Sequence, residues 1–288
     1  MDTPTANHLD GDMLSQALVS GIHRVIGEQD FLNRINVFPV ADGDTGTNLS
    51  LSLGAALGIL QQPGEKHLGT LLAAMADALL DGARGNSGAI VAQFFQGVSD
   101  SAGELTRFTT YTFSKAVEMG SEYAHDALSN PREGTILSVI AAFADSVDHH
   151  VNKVREGSFS ELLESSLEHS RQALADTQEQ LDVLKKAGVV DAGAKGFVAL
   201  IEGMAAFITH GRIEEAPDLS VLRSDATEIA MAGTGEDSEY RYCTECIVTG
   251  TDIDRRKLRE ALAEIGDSVV LAGTKRKAKI HVHANEPK

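Results

Sequence analysis

The sequence has no run of about 18 apolar residues, the length that a membrane-spanning helix needs. The segment from Met1 to Asp12 is acidic and polar, whereas a secretory signal begins with basic residues followed by apolar ones. These two features predict a cytoplasmic protein without a transmembrane segment.

Cysteine is scarce as well. The two cysteines, Cys243 and Cys246, lie three positions apart, which is too few and too close for the disulfide framework of a secreted domain. From the spacing alone they are free thiols, a metal-binding pair or ordinary core residues.

Basic residues are too few to balance the acidic ones, and the formal net charge is −17. A nucleic-acid partner is therefore not expected, because binding a phosphate backbone needs a basic face. The charge is uneven: residues 251–288 carry a net +3, so the first 250 residues carry −20. With 288 residues and 42% hydrophobic content, the chain is predicted to form one large and one smaller globular domain.

Residues 10 to about 210 show apolar residues at three- and four-residue intervals, typical of successive helices. Eight helices joined by short loops predict a mainly α protein with an eight-helix antiparallel barrel or bundle. The predicted helices are 11–28, 46–62, 68–82, 87–101, 108–128, 134–151, 159–180 and 193–210.

The pattern changes after this helical part. Residues 212–239 are acidic and rich in small residues, which predicts a linker, with a short helix near Leu219. Beyond it, Tyr240–Thr249, Ser268–Ala272 and Lys279–Ala284 are strand-like and Arg255–Ile265 is helical, a β-α-β-β unit. The predicted division is a helical domain at 1–211, the linker, and a small α+β domain at 240–288. Because this last domain is so small, we expect more protein to follow it.

The most informative motif is N-V-F-P-V-A-D-G-D-T-G-T-N, which begins at Asn36. Asp42 and Asp44 flank a glycine directly before a helix, and hard divalent cations prefer such oxygen ligands. Amides at the start of that helix could hold a phosphate oxygen. An acidic turn with a helix N-cap is the simpler alternative.

Three further junctions rich in small residues lie at predicted helix ends. Gly82–Gly88 reads G-A-R-G-N-S-G and offers close backbone approach, hydrogen bonds and the charge of Arg84. Taken alone, it is more typical of a plain turn. Asp191 lies at one of the other two junctions, where it could simply cap a helix, and Thr135 lies at a helix start at the other. Four such junctions in one bundle favour a shared rim.

His281 and His283 alternate along a predicted strand, so their imidazoles share one face and could bind zinc. Two such histidines are otherwise ordinary surface residues.

Taken together, the motifs resemble the nucleotide-binding domain of dihydroxyacetone kinases, and more closely the amino-terminal domain of bacterial fatty acid kinase. The similarity rests on the motif at Asn36, on A-R-G-N-S-G, on E-G-T-I-L and on G-V-V-D-A-G-A-K-G, in this order. Tyr242-Cys-Thr-Glu and His281-Val-His283 resemble the middle domain of the same kinase.

The resemblance implies a helical barrel with ATP or ADP at one rim and with carboxylate metal ligands there. Asp42 and Asp44 match the ligands of two Mg²⁺ ions. Dihydroxyacetone kinases have a third metal aspartate upstream, where this sequence has Asn36, so Asn36 takes a supporting metal role. The remaining nucleotide-site positions that it implies are Thr47, Asn48, Gly85, Asn86, Ser87, Gly88, Thr135 and Asp191. The predicted catalytic residues are Asp42, Asp44 and Arg84.

The resemblance also implies one Zn²⁺ ion on Cys243, His281 and His283. Cys246 is three positions from Cys243, an odd step, so in a regular strand it points away from the site. It implies a fatty acid acceptor that a separate DegV-like fatty-acid-binding protein presents, and a possible homodimer. A fatty acid carboxylate is already ionised at neutral pH and needs no general base. Two alternatives stay open: a nucleotide-binding subunit for dihydroxyacetone or another small polyol, and a non-catalytic regulatory or scaffold subunit.

Overall fold

The protein is described by a computed structural model that covers residues 7–64, 66–154, 157–215, 217 and 242–286. Most of the predicted linker, including the short helix expected near Leu219, lies outside the described residues.

The described part of the chain up to residue 215 is helical, apart from a two-residue antiparallel pairing of β1 (Leu9–Asp10) with β2 (Arg107–Phe108). Consecutive long helices pack on one another, and the last packs on the first, which closes a ring around one hydrophobic core. The helices are α1 (Gly11–Gly27), α2 (Gln29–Arg34), α3 (Thr45–Gly54), α4 (Leu57–Leu60), α5 (Leu68–Gly82), α6 (Gly85–Ala102), α7 (Thr110–Asp126), α8 (Ile136–Lys153), α9 (Phe159–Gln180), α10 (Asp182–Ala187) and α11 (Ala192–His210).

Local sequence explains where these helices begin and which face they bury. Reciprocal side-chain and backbone hydrogen bonds form a capping box at the start of α9, between Ser158 and Glu161. In the core, Phe197 of α11 makes edge-to-face contacts with Phe94 of α6 and Phe143 of α8, with ring centroids 5.4 and 6.0 Å apart. These contacts pack α6, α8 and α11 against one another in the core.

The mainly helical class is confirmed, but three details of the prediction were wrong. The helix expected at 46–62 is interrupted after Gly54 and forms α3 and α4. The short helices α2 and α10 were missed, because six residues carry too little periodicity to identify a helix.

Helix α11 is long and apolar enough to cross a membrane by composition alone, with a mean hydropathy of 1.3. It packs on α1, α8 and α9, and 67% of its most apolar window is buried. Its composition is accounted for by this position in the core.

The remaining described residues form the predicted β-α-β-β unit, made of β3 (Tyr242–Thr249), α12 (Arg255–Ala263), β4 (Gly266–Gly273) and β5 (Lys277–Ala284). The sheet is antiparallel, with β5 between β3 and β4.

The sheet docks on the helical ring through β4. Val270 and Ala272 pack with Leu80, Ala89 and Ala127 in a small apolar cluster. The amide of Leu271 donates to the carbonyl of Ala127 at 2.9 Å. This docking brings one face of the sheet to the rim where several helices begin.

Candidate functional site

A cavity of about 570 Å³ lies between the rim of the helical ring and the small sheet. Its walls come from four helix junctions and from all three strands of the sheet. Thirteen of the predicted site residues line it: Asn36, Asp42, Asp44, Asn48, Arg84, Gly85, Asn86, Ser87, Thr135, Asp191, Cys243, His281 and His283. The structure thus brings the two predicted metal sites to one cavity.

Thr47 and Gly88 are the two predicted positions that do not line the cavity. Thr47 is buried one layer behind it, where its amide donates to Oδ1 of Asn33 and its hydroxyl accepts from Nδ2 of the same residue. Gly88 lies inside the first turn of α6, where an added Cβ would be 2.2 Å from Oγ of Ser52. Both residues therefore shape the wall from behind.

The acidic turn connects α2 to α3. Asp44 occupies the N-cap position of α3, but its side chain makes no capping hydrogen bond. Nδ2 of Asn36 donates to Oδ1 of Asp42 at 2.6 Å. The simple capping interpretation therefore does not account for Asp44, whose carboxylate faces the cavity with Asp42 beside it.

The carboxylates of Asp42 and Asp44 repel each other when both are ionised. Burial, and then the proximity of Asp42, raise the pKa of Asp44 from 3.8 to about 7. Two buried amide oxygens on the cavity wall, Oδ1 of Asn36 and Oδ1 of Asn86, have no hydrogen-bond partner among the described residues. Oxygen donors that lack partners, next to carboxylates that repel each other, fit a hard cation such as Mg²⁺.

The second junction links α5 to α6. Gly85 has φ of +57°, a conformation that favours glycine, and a Cβ there would lie 2.6 Å from Nδ2 of Asn48. The amide of Arg84 donates to Oγ of Ser52 at 2.9 Å, which fixes the turn. The amide of Gly85 itself donates to the carboxylate of Glu245 at 3.0 Å. The next residues, Asn86 and Ser87, line the cavity at the start of α6, where backbone amides can hold an anion.

Thr135 and Asp191 both cap helices, which the simpler interpretation had predicted for Asp191. Thr135 Oγ1 accepts from the amide of Leu137, and Asp191 Oδ1 accepts from the amide of Ala194 at 2.8 Å. Both also line the cavity. Capping and a position in the site are therefore compatible.

On the sheet, Cys243 of β3 lies directly opposite His283 of β5, and Glu245 lies opposite His281. One ligand atom from each of Cys243, His281 and His283 lies within 4.8 Å of the others, a spacing that would suit one metal ion. Cys246 is exposed and lies outside this group.

The thiol of this group loses its proton easily, whereas one imidazole holds its proton. Burial would lower the pKa of His281, but Cys243 and Glu245 raise it to about 9, so a metal ion would have to displace a proton from this ring. Burial alone would raise the pKa of Cys243, but hydrogen bonds from His281 and His283 lower it to about 6. The thiol is therefore largely ionised at neutral pH, which is the form that binds metals. The Cys243 charge also contributes to the raised pKa of Asp44, so the two sites interact across the cavity.

Glu245 is the main site residue that the sequence analysis missed. It was quoted within the Y-C-T-E motif without a role, yet its carboxylate accepts from the amide of Gly85 at 3.0 Å and lies 3.1 Å from Nδ1 of His281. Its alternation with Cys243 along one strand would have placed it on the same face.

A family model described as "DAK2 domain" matches residues 39–206, more than half of the chain. The chain belongs to the DAK2-domain family. A second model, for the FakA-like middle domain of fatty acid kinase, matches residues 239–288. The first match covers the acidic turn and the glycine-rich junction, and the second covers the cysteine and histidine group.

Among curated relatives, Protein YloV of Bacillus subtilis is 33% identical over 97% of this chain and 52% of its own length. An uncharacterized protein of Staphylococcus epidermidis is 31% identical over 97% of this chain and 51% of its own length. The chain thus spans about half the length of these relatives.

One solved structure, the dihydroxyacetone kinase from C. freundii in complex with AMP-PNP and Mg²⁺, matches 67% of this chain and 33% of its own, with 17% identity and a TM-score of 0.51. At this identity the likeness concerns the fold alone.

Proposed function

We propose that this chain is the ATP-binding, magnesium-dependent phosphotransfer part of a fatty acid kinase. The observation that carries the proposal is the meeting of paired carboxylates, unpartnered side-chain amide oxygens and the N-terminus of α6 in one cavity. The solved relative in fold was crystallised with AMP-PNP and Mg²⁺, which supports the same ligands here.

Asp42 and Asp44 would hold the magnesium ions, with Asn36 in support. When bound, Mg²⁺ supplies positive charge that offsets the charge of the nucleotide phosphates. The raised pKa of Asp44 means that its carboxylate binds a proton readily in the absence of a cation. Cation binding would therefore release protons near neutral pH.

The junction at Gly85 would bind the phosphates. Its amides lie at the positive end of the dipole of α6, and Arg84 adds a guanidinium whose side chain is 54% exposed. Asn86 and Ser87 line the same wall and can donate further hydrogen bonds. Phosphoryl transfer depends mainly on such positioning and charge compensation.

The acceptor that we propose is a fatty acid carboxylate, which would give an acyl phosphate. Since this acceptor is ionised at neutral pH, the site needs no general base to activate it. We propose that a DegV-like fatty-acid-binding protein presents it at the open cavity. A homodimer, a cytoplasmic location and the domain division given above stay predictions.

Cys243, His281 and His283 would hold one Zn²⁺ ion, because one thiolate and two imidazoles suit zinc better than magnesium. When bound, zinc would join β3 to β5 and add positive charge facing the cavity. A fold of this size has a small core of its own, so metal binding would add to its stability.

The first test is nucleotide binding by titration calorimetry, which needs no partner. The wild-type protein should bind ATP only when Mg²⁺ is present, and Asp42→Asn with Asp44→Asn should abolish this Mg²⁺-dependent binding. Asp145→Asn, which removes one exposed carboxylate of α8, is the matched control and should bind as the wild type does.

The second test adds a DegV-like protein loaded with oleate and measures transfer of the γ-phosphate. Acyl phosphate formed by the wild type and lost in the double variant supports the proposal. Absence of nucleotide binding would refute it altogether. Binding without transfer to oleate, but with transfer to dihydroxyacetone, would favour the polyol kinase, and binding without any transfer would favour the regulatory role.

A further inference from the structure

The carboxylate of Glu245 connects the two halves of the cavity. One oxygen, Oε1, accepts from the backbone amide of Gly85 at 3.0 Å and lies 3.1 Å from Nδ1 of His281. The first contact is to the start of α6, where the phosphates are proposed to bind. The second is to a proposed zinc ligand, so a single atom touches both sites.

The second oxygen, Oε2, faces cationic side chains. Nζ of Lys279 lies 3.4 Å away and NH1 of Arg84 lies 3.9 Å away. The Lys279 side chain is only 9% exposed and that of Glu245 is 20% exposed, so this is a largely buried arrangement. A buried carboxylate with this many partners has a defined position.

Docking of the sheet does not depend on Glu245. The apolar cluster around Val270 and Ala272 lies elsewhere in the interface. The amide of Gly273 donates to Oε1 of Gln93 at 2.6 Å, and Lys277 forms ion pairs with Asp77 and Asp81. Glu245 is therefore free to act on the site without being needed to hold the two parts together.

A histidine that binds a metal usually donates from its other ring nitrogen to a carboxylate, which fixes the orientation of the ring. Nδ1 of His281 lies 3.1 Å from Oε1 of Glu245 and 3.8 Å from Sγ of Cys243. A proton on Nδ1 that is donated to Glu245 would leave Nε2 of the same ring for the metal. Glu245 lies outside the group of mutually close ligand atoms, which contains Cys243, His281 and His283. Its position is thus that of a partner to a ligand.

We propose that Glu245 is a positioning residue that orients His281 for metal binding and, through the amide of Gly85, fixes the metal group relative to the phosphate loop. The inference deepens the proposed function and rests on it. Removal of Glu245 should therefore weaken metal binding and slow phosphate transfer, while the nucleotide itself binds nearly as before.

The experiment compares Glu245→Ala and Glu245→Gln with the wild type, using zinc alone as the probe in a chelator competition. Loss of such a carboxylate partner typically lowers metal affinity by about 10- to 100-fold, which is the range expected for Glu245→Ala. Glutamine keeps an acceptor oxygen but loses the charge, so Glu245→Gln should recover part of that loss. In a transfer assay kcat should fall, while KM for ATP should change by less than about threefold.

Lys277→Met is the matched control, since it removes ion pairs from the same interface but leaves the cavity wall intact. It should bind zinc as the wild type does. An unchanged zinc affinity in Glu245→Ala, or an equal loss in Lys277→Met, would overturn the inference. Wild-type protein that binds no zinc would refute both the zinc site and the role of Glu245, whereas Mg²⁺-dependent ATP binding by the wild type tests the proposed function separately.

Discussion

Asp191 offers a test of whether a site carboxylate reduces the stability of the fold. Its side chain is 6% exposed and caps α11 through the amide of Ala194. Burial raises the pKa of this carboxyl from 3.8 to about 6, against the opposing effect of backbone hydrogen bonds from Ala194, Ile136 and Gly193. The perturbation is Asp191→Asn, which keeps an oxygen for the cap and removes the charge.

The sign and size of the effect follow from proton linkage. Between about pH 4 and pH 6 the folded state holds a proton on Asp191 that the unfolded state has lost, so stability falls as pH rises through this range. A pKa difference of about two units corresponds to about 3 kcal/mol, fully lost above the folded-state pKa. Asparagine does not titrate in this range, so the variant does not lose this stability as the pH rises.

The assay is urea unfolding of wild type and Asp191→Asn at pH 4 and at pH 7.5. The stability of the variant minus that of the wild type should be about 2.5 kcal/mol larger at pH 7.5 than at pH 4, because a small part of the loss has already occurred at pH 4. The substitution also changes stability by an amount that does not depend on pH. Subtracting the stability difference at pH 4 from that at pH 7.5 removes this amount. Equal differences at both pH values would show that Asp191 carries no buried-charge cost and would refute the reasoning.

Three further outcomes are expected. Magnesium with ATP should raise the melting temperature of the wild type, and EDTA should cancel this rise, because ligand binding to the folded state stabilises it by mass action; an unchanged melting curve at millimolar nucleotide would contradict the nucleotide site. Metal analysis should find about one zinc per chain, lost in Cys243→Ser and His283→Ala but kept in Cys246→Ser; equal loss in Cys246→Ser would show a different ligand set. Gly85→Ala should weaken nucleotide binding, because alanine is disfavoured at φ of +57° and its Cβ would clash with Asn48, whereas Gly58→Ala, with no atom near the added Cβ, should not.

Helices with a long apolar stripe were predictable from the sequence, whereas short elements were not. Helix α9 has the predicted bounds, because a capping box marks its start and its 22 residues give a clear period. The break after Gly54 is invisible to a periodicity argument, since apolar residues continue on both sides of it. The pairing of β1 with β2 joins residues about a hundred positions apart and has no local signal.

The residue types at the site indicated which ligands each motif could bind, but not that the motifs lie close together in the fold. The acidic turn and the cysteine and histidine group lie about two hundred residues apart and were predicted as sites in separate domains. Only the docking of β4 on the helical ring brings them to one cavity. Glu245 was missed for the same reason, because its contact with Gly85 crosses between the two parts.

The uneven charge of the chain can be related to the position of the site. Nucleotide phosphates are anionic, and residues 1–211 carry a net −14, so the net charge of the helical part opposes binding of the ligand that it is proposed to hold. Lys279 belongs to the basic final segment and reaches the rim beside the phosphate loop, where it faces the carboxylate of Glu245. Together with Arg84, the proposed zinc ion and the cations held by Asp42 and Asp44, it would offset that repulsion locally. The helices thus contribute the carboxylates proposed to bind magnesium, and the sheet contributes Lys279 and the proposed zinc ligands.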